Sequence, residues 1–230
     1  MKTIVKTAGS FDKVLASCKS IGGRYQPKPT ALSITALSAL ADRSQQTAQA
    51  VIMTRAAYRK AVNDREGSFA GIPKLAVRIV RMLAVFESSR ENIADANSLK
   101  NMLQIKGRPK KSGTEKTEET AAPARRAASR RHYDMRTETF ADLISLIAGM
   151  NTYDPNEADL KLDALKETLA DLKTKSHAVN VTAIAFDKAR RERRELIYGA
   201  NGMTERIKAV KDYLRGAFGS ASMEFGLMTE

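Results

Sequence analysis

Residues 25–65 read YQPKPTALSITALSALADRSQQTAQAVIMTRAAYRKAVNDR, and residues 153–193 read YDPNEADLKLDALKETLADLKTKSHAVNVTAIAFDKARRER. Laid over one another at a constant offset of 128, they share 12 identities in 41 positions without a gap. Amphipathic helices in general share an apolar rhythm, so the matched leucines and alanines prove little by themselves. The pairs Tyr25 with Tyr153, Pro27 with Pro155, Thr54 with Thr182, Lys60 with Lys188 and Arg65 with Arg193 are not explained that way. We read them as an internal duplication.

Each copy contains one long helix, expected over 29–65 and 156–195. Leu37, Ser44, Val51 and Tyr58 recur every seventh residue, as do Leu165, Leu172, Val179 and Phe186, which lays a packing seam along the helix. Asp154, Pro155 and Glu157 read as an N-cap, a first-turn proline and a capping-box acid for the second copy.

Upstream of the long helix, Phe11, Val14, Leu15, Cys18 and Ile21 line one face of a shorter helix that Gly22 and Gly23 stop. At an offset of 129, Phe140, Leu143, Ile144, Ile147 and Met150 repeat that face. Downstream, glycine-containing loops at 67–71 and 199–202 lead to a third helix in each copy. A fourth helix is expected over about 90–103, and its counterpart shrinks to a tail with Met223, Phe225 and Leu227.

The expected fold is therefore all-α: a tandem duplication of a three- to four-helix unit, forming a helical bundle with one long helix per unit. The expected division is a basic helical unit over 1–103, a flexible basic linker over 104–136 and a second helical unit over 137–230, with the two units either docked in pseudo-twofold fashion or separate on the tether. Composition agrees with this class. Hydrophobic residues make up 43% of the chain and aromatic residues 6%, with no Trp, and the abundant Ala, Leu, Lys, Arg and Glu lose little rotamer freedom in a helix. Neither a secretory leader nor a membrane-spanning run is legible, so a cytoplasmic location and no membrane partner are expected.

The formal charge of +13 is unevenly spread. Residues 1–103 carry +9, residues 104–136 carry +6 and residues 137–230 carry −2. A surplus of this kind attracts nucleic acid or an anionic membrane surface and says nothing of fold. Within the linker stand Lys106, Gly107, Arg108, Pro109, Lys110 and Lys111. This string resembles the AT-hook, a short peptide that lies in the minor groove of AT-rich DNA, although Lys106 stands where an arginine is usual. The resemblance implies that Arg108 enters the groove, where the negative potential is concentrated, with Lys106, Lys110 and Lys111 on phosphates. Arg125, Arg126, Arg130 and Arg131 add two arginine pairs suited to phosphate contact. On the third helix of the first copy, Lys74, Arg78 and Arg81 share one side, as Lys208, Lys211 and Arg215 do in the second. Arg190, Arg191, Arg193 and Arg194 are set aside here as cations complementing a helix C-terminus.

Catalytic chemistry is poorly provided for. Cys18 aligns with Ile147 and reads as a small buried hydrophobe; His177 has no repeated partner, and His132 stands in the linker beside two arginines; no metal-ligand spacing or phosphate-binding glycine loop occurs. The expectation is a non-enzymatic DNA-binding protein, nucleoid-associated or architectural, without cofactor, metal or small-molecule substrate, and with homo-oligomerisation possible. The alternative is a structural or assembly protein whose long helices mediate self-association or bind a protein partner.

Overall fold

Each helix that the periodicity indicates is present, with boundaries that differ from those expected. The computed structural model describes residues 2–86, 89–104, 122–150 and 152–227, with the backbone alone for 2–3 and 122–132. The helices are α1 (Lys2–Ile21), α2 (Ile34–Ala70), α3 (Ile72–Phe86), α4 (Arg90–Gln104), α5 (Ala122–Ala148), α6 (Leu162–Tyr198), α7 (Met203–Phe218) and the short α8 (Met223–Gly226). No strand occurs among the described residues, and the fold is an all-α helical bundle. No described helix is long and apolar enough to cross a membrane.

The long helices start later than their sequences suggest. Pro29 is extended (φ −66°, ψ 117°), Thr30–Leu32 forms a 3₁₀ turn, and Ser33 (φ −61°, ψ 149°) precedes α2. The Ser33 hydroxyl accepts from the Ala36 amide at 3.2 Å and caps the first turn. The same geometry recurs 128 residues on: Glu157 (φ −68°, ψ 116°), the 3₁₀ turn Ala158–Leu160, and Lys161 (φ −61°, ψ 145°) before α6. Asp154, Pro155 and Glu157 therefore do not open α6 as expected. They belong to a connection that buries Leu32 in one instance and Leu160 in the other. Both α2 and α6 are 37 residues long, ~55 Å at 1.5 Å per residue. Gly67, expected in a loop, lies within α2, which breaks only at Gly71.

A tyrosine locks each of these turns. The Tyr25 hydroxyl donates to the Leu32 carbonyl at 2.8 Å, and the Tyr153 hydroxyl donates to the Leu160 carbonyl at 3.1 Å. Burial holds the Tyr25 phenol protonated well above the usual tyrosine range. Replacing Tyr25 with phenylalanine leaves a buried carbonyl without its donor, so a loss of about 1–2 kcal/mol is expected, read as a lower urea midpoint at unchanged m-value.

The chain folds as two compact units whose composition differs from the expected division. One, here the terminal unit, is Met1–Tyr58 with Thr182–Glu230; the other, the central unit, is Arg59–Val181. The boundaries cut α2 and α6, so each unit takes part of both long helices.

In the terminal unit α1 packs on α7, and α7 on α8. Phe11, Val14, Leu15 and Cys18 of α1 share a core with Leu37 and Ala41 of α2, Ile197 of α6, and Val210 and Leu214 of α7. The Tyr25 ring meets Tyr213 edge-on at 5.4 Å. Farther along α2, Tyr58 stacks on Phe186 at 6.2 Å beside Val51 and Ala189. The tail is tied down by Arg24 with Glu224 at 2.6 Å.

The central unit is built reciprocally. There α3 packs on α4 and α4 on α5, with Ile72, Ile79 and Leu83 of α3 against Phe140, Leu143 and Ile147 of α5 and Leu165 and Leu172 of α6. Tyr153 meets Phe86 edge-on at 6.1 Å. Each unit thus joins the first helix of one half of the sequence to the third helix of the other.

Part of the expected linker is helix. Residues 105–121, which include Lys106, Arg108, Lys110 and Lys111, lie outside the described residues; from Ala122 onward the chain is α5. The segment has almost no large apolar residues, which argues for a tether, but alanine and arginine are among the best helix formers and Pro123 is tolerated in a first turn. Its far end is anchored by packing: Tyr133 meets the Phe69 ring edge-on at 4.9 Å, and Arg136 donates to the Phe69 carbonyl at 3.0 Å.

Candidate anion-binding surface

Among the basic residues singled out in the sequence, those of α3 and α7 lie on helices whose side chains are described. Lys74, Arg78 and Arg81 are exposed, but the Arg78 guanidinium grips both oxygens of Asp159, one at 3.1 Å and the other closer. A fork-on-carboxylate arrangement satisfies the cation without a phosphate. In α7, Arg215 approaches Asp212 at 4.0 Å and covers the Phe225 ring at 5.1 Å, while Lys211 is half-buried. The basic side of the third helices is therefore partly committed to the protein's own groups. Arg125, Arg126, Arg130 and Arg131 lie on α5, where the backbone alone is described.

The Arg78 contact holds the Asp159 carboxyl below the usual carboxylate range. A depressed folded-state value means that the contact is present above the unfolded pKa and is lost as pH falls through the folded one. A carbon-detected NMR titration is expected to show a low Asp159 midpoint that returns to the ordinary aspartate value in Arg78→Gln.

Among the described residues, a dense exposed positive cluster stands at the arginines that the sequence presents as helix-end cations. Near the end of α6, Arg190, Arg191 and Arg194 are exposed and Arg193 is half-buried. With Asp187, Val51 of α2 and Ile4 and Val5 of α1, they line a cavity of about 500 Å³ within the terminal unit. Asp187 is the one carboxylate among these lining residues, and Arg190 approaches it at 3.6 Å. The Arg190 guanidinium also covers the Phe186 ring at 5.5 Å. An adjoining groove of about 750 Å³ shares Arg191 and adds Arg43 of α2, with Glu192 and Glu195 on its wall.

Charge follows the same partition. The terminal unit holds 17 Lys and Arg against 9 Asp and Glu, a net +8, while the central unit without residues 104–136 holds 12 against 13. Cut by compact units instead of by sequence halves, the chain places the α6 arginines on the basic side. Their repetition over five residues was visible in the sequence, but their gathering around a cavity depends on α1 and α2 arriving beside them.

Cys18 is fully buried, and burial pushes its thiol pKa up. That is the opposite of what a nucleophilic thiolate needs.

No protein-family model matches the chain, and neither a curated protein nor a solved structure is significantly similar to it.

Proposed function

We propose that this is a non-enzymatic DNA-binding protein of architectural type, whose folded phosphate-contacting surface is the arginine-rich end of α6 in the terminal unit. The observation that supports it is the concentration of net +8 on one folded unit, with four arginines around one cavity and a single carboxylate among the lining residues. Guanidinium groups so placed displace counterions from a duplex without reading its bases. In the same reading the basic segment 104–136 makes a second contact, with Arg108 in AT-rich minor groove. The two halves of the chain are descendants of one duplicated unit, a reading supported by the equal lengths of α2 and α6 and by the tyrosine-locked turn before each.

Gel shifts with AT-rich and GC-rich duplexes at 50 and 200 mM salt test this. Binding that weakens steeply with salt is expected, with an AT preference that Arg108→Ala removes. Duplex binding absent even at 50 mM salt sinks the reading.

A second reading, self-association, is favoured by Ile52, Met53 and Ile184, which are 61%, 63% and 70% exposed on the long helices. Large defined oligomers in light scattering, formed without nucleic acid, would favour it.

A further inference from the structure

We propose that the arginine-rimmed cavity of the terminal unit binds a ligand combining a planar aromatic ring with phosphate: a nucleotide, either free or at the end of a strand. The case begins in the central unit, with Arg65. It sits on the seam seven residues beyond Tyr58, is 5% exposed and holds its guanidinium 4.0 Å over the Tyr133 ring. Tyr133 leans on Phe69, and Arg136 covers the other ring of that pair at 5.3 Å. A guanidinium is weakly hydrated and stacks well on an aromatic face, so the ring makes its burial tolerable.

In the register of the two sequence halves, Arg193 corresponds to Arg65, but the residues at the positions that match the surroundings of Arg65 are smaller. Ile4 stands for Tyr133, Ile197 for Phe69 and Thr7 for Arg136. Two rings and a long side chain have been replaced, and the cavity of about 500 Å³ opens against Arg193 with Ile4, Val5 and Val51 as its apolar walls. Arg193, like Arg65, keeps its Nε buried without a hydrogen bond.

Charge changes together with volume. Arg190, Arg191 and Arg194 stand where the first half has Val62, Asn63 and Glu66. The position that loses an internal ring thus gains three exposed cations, a combination that packing alone does not call for. A purine ring entering against Arg193 takes the place that Tyr133 fills in the central unit, and its phosphates reach the rim, where forked guanidinium donors suit them. A volume near 500 Å³ lies within the ~300–1,000 Å³ range of small-ligand sites. This inference uses the same rim as the duplex reading but does not depend on it.

Calorimetric titration of the full chain with ATP, adenosine, inorganic tripolyphosphate and a 5′-phosphorylated single-stranded oligonucleotide tests it. ATP or the oligonucleotide is expected to bind at least tenfold tighter than adenosine or tripolyphosphate. Ile4→Tyr, which restores the ring without removing charge, is expected to weaken that binding at least tenfold. Should Ile4→Tyr fail to fold, judged by its melting curve, Arg194→Gln on the exposed rim is expected to show a comparable loss. Tight ATP binding assigns the free nucleotide as ligand; oligonucleotide binding alone assigns a strand end. Tripolyphosphate binding as tightly as ATP, binding indifferent to the cavity variants, or no binding by either nucleotide form overturns the proposal. Duplex gel shifts on the unaltered chain report the phosphate-binding reading separately.

Discussion

Removing the Phe140 ring by substitution with alanine is expected to destabilise the central unit by about 3–5 kcal/mol, a large fraction of the roughly 5–15 kcal/mol that holds an ordinary domain folded. Phe140 is fully buried in a core shared with α3, α4, the start of α6 and its own helix α5. Its loss leaves a cavity among side chains that come from both halves of the chain. The location of the damage is the informative part. Hydrogen exchange is expected to speed up in α3 and α4, which pack with α5, while α1 and α7 keep their protection. If 137–230 were a folding unit instead, α7 would lose protection and α3 and α4 would not. That pattern would refute the reciprocal composition of the units.

A triple variant, Arg190→Gln with Arg191→Gln and Arg194→Gln, is expected to weaken duplex binding on the order of 10²–10³-fold at 0.1 M salt. The figure follows from about 0.9 units of slope in log K against log salt for each phosphate contact removed. All three side chains are exposed, so the fold is expected to survive and circular dichroism to stay unchanged. The slope itself is the discriminating readout, because it counts contacts. A variant with glutamine at Arg125, Arg126, Arg130 and Arg131 provides the comparison. Should that variant lower the slope and the α6 variant leave it untouched, the folded arginine rim is not the duplex-contacting surface.

Local features carried much of the fold into view. The seven-residue seam places Leu37, Val51, Leu165, Leu172 and Val179 inward, and each of them is buried. Cys18, aligned with Ile147, is buried as a hydrophobe, and α4 spans Arg90–Gln104 where its apolar residues indicate. Helix boundaries were less legible. Asp154 and Pro155 have the chemistry of a helix start, yet the chain turns through Ala158–Leu160 first, because Leu160 must reach the core and Tyr153 must reach its carbonyl. The start of α5 hid for a different reason: its first residues are strong helix formers without an apolar face, and its anchor, Tyr133 and Arg136 against Phe69, lies more than sixty residues away in sequence.

The candidate site divides along the same line. Arg78 looked available on its helix, and Asp159, distant in sequence, takes it. Arg190, Arg191, Arg193 and Arg194 looked like helix-end cations, and α1 and α2 make them the rim of a cavity.

By itself the sequence determined that the chain is helical and which faces are apolar. Those properties rest on backbone propensity and on side-chain spacing within a few turns, so they are local. Which first helix meets which third helix was decided only in the tertiary structure. Two similar halves present similar apolar faces, and a face does not name its partner. What separates them is the fit of particular side chains brought together from distant positions, such as Tyr25 on Tyr213 and Tyr153 on Phe86. Close packing discriminates at that scale, and periodicity does not.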